Sequence, residues 1–119
     1  MKAKLFLILL RTLGKWLPAS YSKLFGKLAK KIRAALARQI SPHLGSNVNI
    51  EKGAYVLKDT VVGNHSGIGV DCEICYGLSI GNNVMMGPEC LFYSNSHKFD
   101  KATKQFSGYT DTNPIVIED

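Results

Sequence analysis

Residues 1 to 43 contain no aspartate and no glutamate, and the whole 119-residue chain has only three cysteines, four prolines and one tryptophan. Its longest unbroken apolar run, Leu5 to Leu10, is six residues. That is far short of the roughly 20 needed to span a bilayer and shorter than a signal-peptide core of roughly 7–15 residues. No small-residue cleavage site follows it cleanly, so a transmembrane or secreted chain is not expected and a cytoplasmic location follows. Cys72 and Cys75 form a CxxC with Cys90 as a third thiol. A structural zinc site needs four ligands, and there is no second CxxC and no HxxxH. Three reduced thiols and no metal are therefore expected. A hydrophobic fraction of 45% with 20% charged residues argues against general disorder.

The net charge of +6 is unevenly divided. Ten lysines and arginines in residues 1 to 43 make a basic arm of +10, and residues 44 to 119, with five basic and nine acidic side chains, carry −4. Within the arm, Leu24, Leu28, Ile32, Leu36 and Ile40 recur every fourth position, predicting an amphipathic helix over Ser22 to Ile40. Ser20 or Ser22 is available to cap its start, and Ser41-Pro42 ends it. Leu5, Leu9 and Leu13 predict a first helix over Lys2 to Leu13, closing around Gly14 with Pro18 beyond. Two readings of the arm stand side by side: peripheral contact with an anionic membrane surface, or packing of the leucine stripe against the rest of the chain. One tryptophan, one tyrosine and no recognised motif give no reason to expect nucleic acid as a partner.

From Leu44 a large apolar residue recurs at every sixth position: Leu44, Ile50, Val56, Val62, Ile68, Ile74, Ile80, Met86 and Phe92. Glycine follows it in five of nine cases, and the fifth position (Val48, Ala54, Thr60, Ser66, Cys72, Leu78, Val84, Cys90, Ser96) is small or apolar throughout. Period six fits neither a helix nor an ordinary strand. It predicts an all-β solenoid of triangular section, in which three hexads, or eighteen residues, make one coil and residues eighteen apart stack at the interstrand spacing of about 4.8 Å. Nine hexads give about three coils.

The hexads VGNHSG, IGVDCE, IGNNVM and MGPECL, followed by FYSNSHKFD, resemble the hexapeptide-repeat acyltransferases, and within them the maltose/galactoside O-acetyltransferase-like group that includes sugar O-acetyltransferases of capsule and exopolysaccharide pathways. LPASYSKLFGKLAKKIR is similar, less specifically, to the N-terminal arm of the polysaccharide-pathway members. The resemblance implies a left-handed parallel β-helix, a homotrimer, acetyl-CoA as acyl donor and a saccharide acceptor. It also implies that His97, after the IGxNVxxGP pattern at Ile80 to Pro88, is the general base. A sugar hydroxyl is a poor nucleophile near neutral pH, and an imidazole titrating near about 6.5 can take its proton.

Asn95 is the candidate acceptor-binding residue, and Lys98 to Asn113, which breaks the period, is expected to be a polar loop, either one in which Phe99 and Asp100 help to shape an acceptor pocket or a surface loop without function. Asn64, Asn82 and Asn83 are expected at corners with left-handed geometry. His65 is expected to face outward. The three-histidine metal arrangement of β-helical carbonic anhydrases is not expected from His43, His65 and His97, spaced 22 and 32 residues apart. The positions where galactoside-type enzymes carry a sugar-contacting asparagine and aspartate fall on Gly67 and Cys75. The final Ile117-Glu118-Asp119 looks like the opening of a further hexad, so a C-terminally truncated chain is expected, and the alternative function is a catalytically inactive β-helix fragment with an assembly or membrane-associated role.

Overall fold

Parallel pairing between residues eighteen apart organises the chain from Leu44 onward. The computed structural model describes residues 1–119. Two helices, α1 (Lys2–Trp16) and α2 (Gly26–Ile40), precede seven short strands: β1 (Asn49–Ile50), β2 (Val61–Val62), β3 (Gly67–Ile68), β4 (Leu78–Ile80), β5 (His97–Asp100), β6 (Gln105–Tyr109) and β7 (Ile115–Ile117). Neither helix is long and apolar enough to cross a membrane. In β1–β3, Ile50 sits beside Ile68; in β2–β4, Val62 sits beside Ile80. The isolated bridges Leu44–Val62, Gly67–Met85 and Glu73–Leu91 keep the same offset of eighteen. β4 also pairs in parallel with β7, Ile80 beside Ile117, the larger offset accommodating the antiparallel pair β5–β6.

The six-residue period fills the core as expected through Ile80. Leu44, Ile50, Val56, Val62, Ile68, Ile74 and Ile80 are buried, as are the fifth-position residues Val48, Ala54, Thr60, Ser66, Cys72 and Leu78. Met86, Phe92, Val84 and Cys90 are half-buried. Ser96, expected inside, is exposed, and Ser94 is buried in its place. The phase is lost there because the chain leaves to form β5.

The bends repeat at the same interval. Asn47, His65 and Asn83 have φ of 50°, 57° and 56°, and Gly53, Asp71 and Glu89 have 80°, 52° and 57°. Asn, Asp and His are the non-glycine residues that best tolerate this left-handed region. Asn64 and Asn82, expected there too, instead carry a side-chain ladder. Asn64 Oδ1 accepts from the Ser46 N–H at 2.8 Å, Asn82 Oδ1 from the Asn64 N–H at 2.8 Å, and Asp119 Oδ1 from the Asn82 N–H at 2.7 Å. Donation from the Asn82 backbone N–H, together with the Asn82 side-chain amide, holds the Asp119 carboxyl below its usual range.

The arm departs from the sequence expectation in three places. α1 continues through Gly14 to Trp16, and Gly14 is buried against α2. A Cβ on it would lie 3.1 Å from Leu10 Cδ1 and 3.5 Å from Arg33 Cγ. α2 begins at Gly26 rather than Ser22, with Phe25 at its N-cap and no side-chain cap. Its C-terminus is as expected: Ser41 is extended at φ −114°, ψ 128°, as a residue before proline must be. The buried face of α2 is Gly26, Ala29, Arg33, Ala37 and Ile40, whereas Leu24 and Leu28 of the expected stripe are exposed. Small residues at helical spacing let α1 approach closely, and the remaining place on that face is taken by a guanidinium.

That guanidinium explains part of the basic charge. The carbonyls of Leu44, Gly45 and Ile50 lie where no earlier strand pairs, and a bare strand edge leaves such groups unsatisfied. Arg33 Nε donates to Ile50 O at 2.7 Å, and Arg38 donates to Leu44 O at 2.9 Å and Gly45 O at 2.6 Å. Arg33 Nη1 also reaches Pro18 O at 2.8 Å, beyond the end of α1. Its Nη2 lies 3.6 Å from Glu51 Oε2. Burial lowers the Arg33 pKa and the Glu51 charge opposes that shift. Burial pushes Glu51 up, but hydrogen bonds from the Ser20 hydroxyl, the Asn49 amide and the backbone N–H groups of Ser20 and Lys52 outweigh it and hold the carboxyl below its ordinary value. Ser20, a candidate helix cap in the sequence, is thus committed to Glu51.

Candidate functional site

His97 opens β5, and the segment expected to be a polar loop is a β-hairpin. Two cross-strand pairs account for it. His97 is opposite Tyr109 and Phe99 opposite Phe106, with an irregularity between them. Aromatic cross-strand pairs of this kind stabilise antiparallel ribbons. At the turn, Asp100 Oδ1 accepts from the N–H groups of Ala102 (2.8 Å) and Thr103 (3.3 Å), an Asx-type turn whose backbone donors hold the Asp100 carboxyl below its usual range. Lys104, at φ 54°, completes the reversal.

The hairpin presents an aromatic face. The His97 ring lies 4.5 Å from Tyr109 at an interplanar angle of 36° and 5.7 Å from Phe106 at 66°, and Phe99 meets Phe106 edge to face at 5.5 Å. His97, Phe99, Phe106 and Tyr109 are all exposed, so the imidazole is accessible. No side-chain hydrogen bond orients it; its neighbours are π faces. Phe106 and Tyr109 were missed in the sequence because they fall in a stretch with no six-residue period. The signal available was their cross-strand spacing from Phe99 and His97 about a turn-forming Asp100.

At the base of the hairpin a cavity of about 400 Å³ is lined by Tyr93, Ser94, Asn95, Ser96, Thr110, Asn113 and Ile115. The chain is closed around it by Thr110 N–H to Ser96 O and Asn113 N–H to Ser94 O, both at 2.8 Å, and by Ser96 N–H to Thr110 Oγ1 at 2.9 Å. Asn95, the candidate acceptor-binding residue, is among its walls. His97 flanks this cavity without lining it. Gly67 and Cys75 are absent from its walls.

A larger concavity of about 520 Å³ lies between the arm and the face carrying β1 and β3, with Tyr21, Asn49, Glu51, His65 and Met85 among its walls. His65 is exposed there, its Nδ1 3.1 Å from Asn47 Nδ2. His43 is exposed ahead of the first bridge and holds Val62 N–H through its carbonyl at 3.1 Å. Of the thiols, Cys72 is buried and Cys75 and Cys90 are half-buried. Burial, and the neighbouring Cys90, push the Cys72 thiol up, against donation to it by backbone N–H groups, so it is a filler of the core rather than a nucleophile. Comparison with family models, with curated proteins and with solved structures gives no match to this chain.

Proposed function

We propose that residues 44 to 119 form a left-handed parallel β-helix of about three coils, and that the chain is an acetyl-CoA-dependent O-acetyltransferase acting on a saccharide, with His97 as general base. The observation that carries this reading is the eighteen-residue parallel register ending directly in a hairpin that exposes His97. A solenoid of triangular section requires that register, and the chemistry requires an accessible imidazole beyond it. Left-handedness is taken from the resemblance of the hexads. The His97 imidazole takes the proton of the acceptor hydroxyl as its oxygen attacks the thioester carbonyl. The carbon–sulfur bond breaks, the acetyl ester forms, and the proton passes from the imidazolium to the departing thiolate. Asn95, in the wall of the adjoining cavity, contacts the acceptor. The active assembly is a homotrimer with the exposed hairpin face between subunits.

The test is acceptor-dependent release of coenzyme A thiol, measured on the intact chain and on His97→Ala. Loss of release in the variant, with the oligomer unchanged, is expected; a variant that keeps most of the rate overturns the assignment.

A second reading, a β-helix without catalysis that serves in assembly, is favoured by one observation: the His97 ring has aromatic neighbours but no hydrogen-bond partner to fix its tautomer, which a base ordinarily has. Calorimetric titration with acetyl-CoA separates the two, since binding supports the enzyme and its absence supports the assembly role.

A further inference from the structure

Some of the arm's apolar residues are buried within the chain and others are exposed. Leu10, Ala29, Ala37 and Ile40 are buried. Around the connection between the helices, Leu13, Trp16, Tyr21, Leu24, Phe25 and Leu28 are between 50 and 89% exposed. Six large apolar side chains within sixteen residues, three of them aromatic, exceed the scattered exposure normal for a soluble surface.

The charge around this patch has one sign. Lys15, Lys23 and Lys27 are interleaved with it and exposed, and none takes part in a hydrogen bond or ion pair. The arm's arginines are engaged elsewhere: Arg33 and Arg38 on strand carbonyls, and Arg11 over the Tyr55 ring at 4.8 Å. No acidic residue occurs before Glu51, which is buried and already holds Ser20, Asn49 and Arg33. Nothing in the arm neutralises the lysines.

We propose that the connection between α1 and α2 is a peripheral docking surface for an anionic lipid bilayer, with Trp16, Leu24 and Phe25 entering the interface and Lys15, Lys23 and Lys27 meeting the headgroups. Tryptophan and tyrosine favour the level of lipid headgroups. Lysine stems lie along apolar surface while the ammonium stays in water, and basic residues beside an inserted apolar face strengthen binding to anionic lipid. A nucleic-acid surface would leave Leu13, Leu24 and Leu28 without a partner. The contact leaves His97 free, because the arm covers the first eighteen-residue register while the hairpin follows the third. The proposal thus stands apart from the acetyl-transfer reading.

Trp16 is the sole tryptophan, so its fluorescence reports on this site directly. The full chain is mixed with vesicles of equimolar phosphatidylcholine and phosphatidylglycerol, and with phosphatidylcholine alone. A blue shift and co-sedimentation with the anionic vesicles only, weakening as salt rises, are expected. Lys23→Gln with Lys27→Gln lowers vesicle affinity on the order of tenfold or more. Leu24→Ser with Phe25→Ser removes the co-sedimentation and leaves the circular dichroism and melting temperature unchanged, since both side chains are exposed. No shift and no pelleting with anionic vesicles overturns the proposal. So does a shift that grows with protein concentration without lipid, which assigns the patch to a second copy, or one that a DNA or RNA duplex produces equally well.

Discussion

Arg33 Nε donates a 2.7 Å hydrogen bond to the carbonyl of Ile50, placing a fully buried guanidinium against the outer side of the first strand. The same side chain reaches Pro18 O at 2.8 Å and faces Glu51 at 3.6 Å. One residue thus ties the connection after α1, the middle of α2 and β1 together. Replacing it by Met removes the charge partner of Glu51 and the donors to the carbonyls of Gly14, Leu17, Pro18 and Ile50, a loss of about 3 kcal/mol or more. Arg33→Lys does not restore the loss, because one ammonium cannot reproduce the planar fork. Urea denaturation midpoints of the three proteins check both statements; a lysine variant as stable as the parent would contradict them.

Acid loosens the arm through Glu51. Its folded carboxyl lies below the ordinary value of about 4.3, because hydrogen bonds outweigh the upward push of burial. The unfolded chain therefore takes up the proton first, so the stabilisation is present above about pH 4.3 and is lost as pH falls through the folded value. Denaturation of the parent and Glu51→Gln across pH 7 to 3 is expected to show a gap in stability at neutral pH that narrows below about pH 4. A gap that stays constant would show that the carboxylate charge does not contribute.

The ladder of Asn64, Asn82 and Asp119 predicts graded costs. Asn64→Ala removes the acceptor of one Ser46 N–H bond and costs about 1 kcal/mol. Gly63→Ala costs more, because an added Cβ would run into the backbone carbonyl of Gly81 in the neighbouring strand. Thermal melts of the two variants rank these effects. The reverse order would mean that the strands at Gly63 can separate without loss.

Much of this fold was legible in the sequence, and the misses share a physical cause. The period from Leu44 to Ile80 marks residues that are buried, and its interval of eighteen is the observed pairing offset, because inward side chains and strand register obey one spacing. The hairpin is invisible to the repeat because its order comes from His97–Tyr109 and Phe99–Phe106 pairing, a relation between strands that leaves no mark on a six-residue count. The leucine stripe includes Leu24, which precedes α2, and Leu28, both exposed, while the buried face of α2 is built of Gly26, Ala29 and Ala37 around Arg33. Hydrophobic periodicity does not see a face made of small residues and one paired charge. The aromatic surroundings of His97 come from the same pairing and are equally invisible to that count.

Acceptor-dependent thiol release from acetyl-CoA, followed over a panel of mono- and oligosaccharides for the intact chain and for His97→Ala, tests the functional reading most directly. The expected result is release with at least one saccharide and a rate lower by about 10²–10⁴ in the variant, with the assembly unchanged. Equal rates in the two proteins, or no saccharide raising release above the solvent background, would contradict it.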